Sequence, residues 1–318
     1  MNELAIDKKL AKMKARAKKR EMMKRYKFIY LLLIPAVVLV FIFNYLPMLG
    51  IVIAFFDYNP ILGMGASEFV GFQNFIDIFS APKFLSAIKN TVLYSGTILL
   101  FGAPFPITLA ILFNELRGKY FKKTVQTITY LPYFLSWVSV VGMVYGIFLT
   151  DGSFNDIMRR IVGESWQDIN ILTNADNFIH IIFWSDQWKN IGWNSIVFLA
   201  AIAGIDQGLY EAAKIDGCGR LRQMWYITLP CILPTFVIMF IMSTGSLINS
   251  NFEQVMGFQN AFIQEQTETV NTLIYREGVT GIEYSKSTAF GLAQGLFSLL
   301  LVAFANKMSK KVSGVGIW

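Results

Sequence analysis

The stretch 206-DQGLYEAAKIDGCGRLRQMWYITLP-230 decides how the rest of this sequence is read. It carries charges, two close glycines and a run of helix formers, and it lies between two strongly apolar segments. Asp206 suits the N-cap of a short helix, because its side chain can accept from the free N–H groups of the first turn. Leu209, Ala212, Ala213 and Ile215 make that helix partly apolar. Gly217 can end it in a left-handed conformation that a Cβ resists. A second helical run is expected over 218–228, with Arg220 and Arg222 on a solvated face. Pro230 is expected to end that run, and Pro234 suits the first turn of the next helix. The product is a short helix–turn–helix whose small residues, Ala212, Ala213 and Gly217, let a partner backbone approach closely.

The flanking sequence places this element at a membrane. The chain has 318 residues, of which 54% are hydrophobic and 15% charged, with a mean hydropathy of +0.48. An ordinary soluble domain carries about 25% charged residues. Uncharged windows run over 28–56, 90–114, 124–150, 223–252 and 287–306, and are 29, 25, 27, 30 and 20 residues long. About 20 apolar residues span a bilayer core, so each is read as a crossing. A sixth lies within 177–205, interrupted by Asp186 and Lys189, which at i and i+3 can pair on one helix face or, near the helix start, snorkel to the interface. The first window is too long for a signal-peptide core and no small-residue cleavage site follows, so it reads as a retained helix, kinked at Pro35 and Pro47.

Charge sets the orientation. Residues 1–27 hold 11 Lys/Arg against three acids, in a run of helix formers that suits anionic lipid better than nucleic acid. Together with 115–123, 206–222 and the tail, this side of the membrane collects 21 Lys/Arg against 5 on the other. The positive-inside rule makes the richer side cytoplasmic, with both termini and the 206–230 element there. The organisation is thus a basic N-terminal segment (1–27), an all-α six-helix membrane domain (28–306) and a short cytoplasmic tail (307–318).

Signatures of catalysis are missing. There is no G-x-x-x-x-G-K-[ST] loop, so no nucleotide site of that kind, and "RGKY" lacks its flanking residues. There is no G-x-S-x-G and no H-E-x-x-H, and "SAIK" (86–89) stands without companion motifs. Two cysteines, Cys218 and Cys231, and one histidine, His180, have no metal-ligand spacing. His180 reads as an interfacial residue. The remaining role is passage through the membrane, or structure.

The 206–230 element has a spacing that a plain connector does not need. It reads E-A-A-x3-G-x9-I-x-L-P, as Glu211-Ala212-Ala213, Gly217 and Ile227-Thr228-Leu229-Pro230. This closely resembles the signature of the integral-membrane subunits of binding-protein-dependent ABC importers. Further segments resemble the maltose/oligosaccharide branch, especially permeases of polysaccharide-utilisation systems: "NYLPMLGIVIAFFDYNP" (44–60), "FVGFQNF" (69–75), "QTITYLPYFLSWV" (126–138), "AGIDQGLYEAAKIDG" (203–217) and "ANKMSKKVSGVGIW" (305–318). The chain departs from the family at Cys218, where Ala is usual. It also lacks the large extracytoplasmic insertion of the maltose protein, since the connection 57–87 has 31 residues. The resemblance implies a type I importer. A second permease, commonly a different one, pairs with this chain, two ATPase subunits bind beneath, and an extracytoplasmic sugar-binding protein docks outside. ATP and Mg belong to the ATPase and no cofactor to this chain. Glu211, Ala212, Ala213, Asp216 and Gly217 then form the coupling helix that enters a groove on the ATPase.

Sugars are recognised by hydrogen-bonding groups beside flat apolar faces, and polar residues within membrane helices mark candidate paths. The best cluster is 249-NSNFEQ-254 at the outer end of the fifth window, where Asn249, Asn251, Glu253 and Gln254 supply polar groups and Phe252 a stacking face. The maltose branch has a polar Asn/Phe segment at the corresponding place. On a continuous helix, Asn249 and Glu253 share one face and Asn251 and Gln254 another. The same residues could instead join neighbouring helices. Asn194 and Ser195 in the fourth span and Gln294 in the sixth are further candidates. A gradient-driven transporter would show inverted repeats and paired intramembrane carboxylates, and a membrane scaffold would need no such cluster.

The topology has a direct test in a background lacking Cys218 and Cys231. Cysteines placed at Ser153 and Gln266 are expected to react with an impermeant maleimide in intact cells, and one at Ser313 only after permeabilisation. External reactivity at Ser313 would refute the six-span count.

Overall fold

The computed structural model describes residues 13–14, 21–22, 25–163, 165–247 and 251–317. Most of the basic N-terminal segment and Asn249 lie outside them. The chain divides into two units, residues 1–53 and 54–318. In the first, α1 (Lys27–Val40) runs through Pro35 into a π turn, Phe41–Tyr45, where the Leu46 N–H reaches back five residues to the Phe41 carbonyl. The wide turn lies directly before Pro47, whose ring carries no N–H and crowds the preceding turn of a regular helix.

The second unit opens with a small antiparallel ribbon, β1 (Phe56–Asp57) on β2 (Glu68–Phe69), pairing Phe56 with Phe69 and Asp57 with Glu68. Asn74, in α2 (Gln73–Ser80), donates to the Ala54 and Phe56 carbonyls at 2.9 and 3.0 Å and locks the ribbon to the helix. Ala81 is extended and Pro82 starts α3 (Pro82–Gly102), eight residues before the uncharged window; Lys83 and Lys89 occupy its first turns. After Ala103, α4 (Pro104–Glu115) continues the same 34-residue span.

The window 124–150 is not one helix. α5 (Lys119–Tyr130) passes into a 3-10 turn at Leu131–Phe134, Leu135 is extended, and Ser136 caps α6 (Trp137–Phe148) by accepting from the Ser139 N–H. Pro132 removes a donor where α5 would have continued, and the chain breaks there. An outer loop follows with the amphipathic α7 (Ser153–Val162). Arg159 grips Asp168 with two 2.9 Å bonds, and this guanidinium holds the Asp168 carboxyl below its ordinary range.

The fourth crossing, in which the sequence has two charges, is α8 (Phe178–Ala203), 26 residues or about 39 Å long. Asp186 and Lys189 are both buried, but they do not form the expected pair. The Lys189 ammonium donates to the Tyr133 carbonyl at 2.7 Å and lies over the rings of Tyr133 and Trp137. The carbonyl it caps belongs to the break between α5 and α6, which lacks a regular helical partner.

α9 (Gln207–Ile215) follows, turned 69° from α8. Pro230 does not end the next helical run. Arg220–Gln223 leads into a π turn at Met224–Thr228, with the Leu229 N–H bonded to the Met224 carbonyl, and α10 (Leu229–Gly245) carries on through Pro230 and Pro234. As before Pro47, the wide turn makes room for the ring. The fifth crossing therefore ends at Gly245 rather than near Glu253. Asn251 takes a left-handed conformation (φ 68°) and opens a separate helix, α11 (Phe252–Phe258). α12 (Val270–Tyr275) and the long α13 (Tyr284–Ser313) complete the chain. Between them Arg276 pairs with Glu268, whose carboxyl burial pushes up against the pull of the guanidinium.

α8 is the central element, packed against α3, α4, α5 and α10. Ala110, Phe198, Ile202, Ile205 and Ile232 form an apolar cluster near the α9 end, and Tyr94, Phe178, Ile182, Val255, Phe258 and Ile263 form another around the start of α8. Two glycines set the approach distances. A Cβ on Gly192 would meet the Thr129 carbonyl oxygen at 2.2 Å, and one on Gly102 would meet the Gln187 amide at 2.5 Å. Gly192→Ala is therefore expected to cost about 1–3 kcal/mol by overpacking against backbone. The purified protein should unfold several degrees lower, whereas Gly142→Ala, where a Cβ meets nothing within 4 Å, should leave the midpoint unchanged.

Candidate functional site

Two features stand out, one following the fourth span and one along its middle. The first is α9. Asp206 Oδ1 accepts from the Gly208 N–H at 2.9 Å, as its cap position predicts. At the other end the Gly217 N–H bonds the Lys214 carbonyl and the Cys218 N–H bonds the Ala213 carbonyl at 2.8 Å, closing the helix with Gly217 at φ 76°. Glu211, Ala212, Asp216 and Gly217 are exposed and Ala213 is half-buried. Ile215 is 87% exposed and Leu221 74%, so the element leaves apolar side chains and small residues uncovered by this chain.

α9 is also braced from behind. Tyr210 Oη lies 2.8 Å from Thr228 Oγ1 in the π turn, Gln223 donates to the Cys218 carbonyl, and Arg220 forms an ion pair at 3.4 Å with Glu115 at the end of α4. Of the five positions named from the sequence, Glu211, Ala212 and Ala213 thus lie on one short helix and Asp216 and Gly217 in its C-terminal cap.

The second feature is a cavity of about 230 Å³ among α3, α4, α8 and α10. Asp186, Asn190 and Asn194 recur at i, i+4 and i+8 along α8 and line it as a polar ladder, with Gln187 beside them. Asp186 accepts from Asn190 Nδ2 at 2.7 Å and from Gln187 Nε2 at 3.3 Å. Asn251 reaches the same cavity from beyond the end of α10, and Phe236 and Phe240 supply apolar faces.

The residues expected around 249–254 separate. Asn251 lines the cavity, but Gln254 is fully buried in α11, where its Nε2 donates to the Ile182 carbonyl and to Ser185 Oγ, both at 2.8 Å. Phe252 packs its ring on Tyr275 and Glu253 is exposed. The left-handed turn at Asn251 is why Asn251 and Gln254 do not share a continuous helical face, and the pair of Asn249 with Glu253 lies outside the described residues. Asn194 is on the cavity wall. Ser195 is buried and donates to the Gly192 carbonyl, and Gln294 donates to Asn271 at 3.0 Å beside a different cleft. Asp186, Gln187 and Asn190 were not selected from the sequence as path residues, although their regular spacing with Asn194 was there to be read. His180 lines an apolar groove with Trp184 and Trp188.

Comparison with known proteins gives a consistent result. Residues 107–314 match the family model described as "Binding-protein-dependent transport system inner membrane component". The chain is 42% identical over 297 residues to Protein LplB of Bacillus subtilis (strain 168), covering 93% of this chain and 92% of that one. It is 41% identical to the polygalacturonan/rhamnogalacturonan transport system permease protein YteP of the same organism, covering 92% and 90%. A chain in the crystal structure of a bacterial alginate ABC transporter, in complex with an alginate pentasaccharide-bound periplasmic protein, superposes with a TM-score of 0.84 at 36% identity, covering 93% of this chain and 99% of that one.

The separation of Asn251 from Gln254 can be measured. Asn251→Gly is expected to leave stability unchanged or slightly raised, because glycine adopts a positive φ freely, while Asn251→Val should lower it. Gln254→Ala removes two buried donor contacts and should cost about 1 kcal/mol in unfolding of the purified protein. Equal effects of the Gly and Val substitutions would contradict the left-handed turn.

Proposed function

Since this chain belongs to the binding-protein-dependent transport system inner membrane components, we propose that it is one permease subunit of an ATP-driven sugar importer, with an oligosaccharide as cargo. It forms half of the translocation path, pairs with a second permease, commonly a different one, and receives cargo from an extracytoplasmic sugar-binding protein. Two ATPase subunits bind ATP and Mg and dock on the cytoplasmic side. The observation that carries this reading is the α9 element. It is capped at both ends, turned 69° from the span before it, braced to α4 and α10, and exposed where Glu211, Ala212, Asp216 and Gly217 stand.

A surface helix of this kind can transmit force. Displacing α9 moves Asp206 and the end of α8 on one side, and the π turn before α10 on the other. Both helices line the polar cavity. ATP-driven closure of the ATPases beneath would in this way change the cavity wall without this chain binding nucleotide. The wall contributed by Asn194 and Asn251 is the part of the path that this chain supplies.

Gly217 separates docking from folding. Its Cβ position is open within 4 Å, so a side chain there costs only the left-handed backbone, roughly 1–2 kcal/mol for an ordinary residue. Gly217→Val should leave the permease in the membrane while abolishing transport and ATPase stimulation, and Gly217→Asn, which tolerates positive φ, should retain more of both. Full transport in Gly217→Val, or failure of any ATPase subunit to co-purify with the wild type, would remove the basis for this assignment.

A further inference from the structure

Lys189 is a buried cation well inside a membrane crossing, where a charge is costly and marks a functional position. Its ammonium donates to the Tyr133 carbonyl at 2.7 Å and lies 5.1 Å from the centroid of the Tyr133 ring and 5.4 Å from that of Trp137. The carbonyl and the two ring faces take the place of water around the charge. Lys189, Gly192 and Trp193 share one face of α8, at i, i+3 and i+4, and all three meet the end of α5 or the turn after it. Gly192 admits the Thr129 carbonyl. Trp193 stacks on Tyr133 with ring centroids 4.4 Å apart and meets Phe134 edge-on at 5.7 Å. The ammonium is the strongest member of this set, because a hydrogen bond from a charged donor is roughly twice as strong as a neutral one.

Beyond the break the chain takes other partners. The Leu135 N–H closes on the Pro132 carbonyl and the Val140 N–H on the Ser136 carbonyl, so the two helical ladders meet at Leu135–Ser136, where both residues are extended. α6 then packs on α11: Gly257 admits the Val141 side chain, and Tyr145 donates to the Phe258 carbonyl at 3.4 Å and stacks on its ring. From α8 it is parted by an apolar groove of about 380 Å³, with Met143 and Ile147 on one wall and Trp184 and Trp188 on the other. The third crossing thus has one half fastened to α8 and the other to α11, and the Lys189 ammonium lies at the pivot between them. Given docking of an ATPase at α9 as proposed above, we infer that Lys189 is a positioning residue of the transport stroke. It pins the end of α5 to α8, so that a displacement entering at α9 carries α5 and α8 together and the third crossing bends at Leu135–Ser136.

The test uses the complete permease–ATPase complex in nanodiscs, in a background lacking Cys218 and Cys231. Spin labels at the exposed positions Thr124→Cys on α5 or Gly142→Cys on α6 are each paired with one at Ala200→Cys on α8. Spacings are measured without nucleotide and after trapping with Mg-ATP and vanadate. With Lys189 in place the α5–α8 spacing should stay fixed on trapping while the α6–α8 spacing shifts. Lys189→Met keeps the apolar stem and removes the ammonium, and the population with α5 released from α8 should rise about tenfold, as loss of a hydrogen bond from a charged donor predicts. Lys189→Arg, which keeps a cation that stacks on aromatic rings, should restore the single spacing. A Lys189 that served packing alone would lower the yield of assembled complex in Lys189→Met and leave both spacings as in the wild type, which overturns the inference. If Lys189→Met does not assemble, the wild type decides: an α5–α8 spacing that changes on trapping, or an α6–α8 spacing that does not, overturns it. These results leave the import reading standing, whereas failure of any ATPase subunit to co-purify with the wild type removes both.

Discussion

The close approach of α8 to its neighbours is the constraint on which the remaining structure depends. Within a bilayer, helices gain little from burying apolar surface against each other, so association relies on packing and on small residues that let backbones meet. Gly192 admits the Thr129 carbonyl and Gly102 admits the Gln187 side chain. These contacts set how α8 sits against α5 and α3. They hold the Asp186–Asn190–Asn194 face toward the cavity rather than toward lipid, where it would lack partners.

The same helix joins the cavity wall to α9. At its end the chain turns 69° into α9, and a side-chain cap, a left-handed glycine, a Tyr210–Thr228 contact and an Arg220–Glu115 pair hold that turn. None of these contacts is individually strong, and the exposed ion pair contributes little to stability. Together they tie α9 to the helices that line the cavity.

Irregular backbone is concentrated where proline or a polar segment interrupts an apolar window. The π turns at Phe41–Tyr45 and Met224–Thr228 precede Pro47 and Pro230, and the 3-10 break at Leu131–Phe134 contains Pro132. A non-helical backbone at membrane depth is tolerated only where protein or water satisfies its polar groups. At the 131–136 break that satisfaction comes in part from Lys189, a residue that sequence reasoning had paired with Asp186.

The sequence alone determined the class, the number of crossings and the α9 element. Long uncharged windows can be solvated only by lipid, and Asp206 and Gly217 act through local backbone geometry that needs no distant partner. The identity of the cavity wall was not legible in the same way. Asn251 and Gln254 are three residues apart in one polar run, yet one lines the cavity and the other bonds the backbone of α8, because the chain turns left-handed between α10 and α11. Asp186 and Lys189 looked like a pair because they share a helix, and were separated by what each meets on other helices. Local preferences decide where helices begin and end, and only tertiary packing decides which of their polar groups face each other, a cavity or a neighbouring backbone.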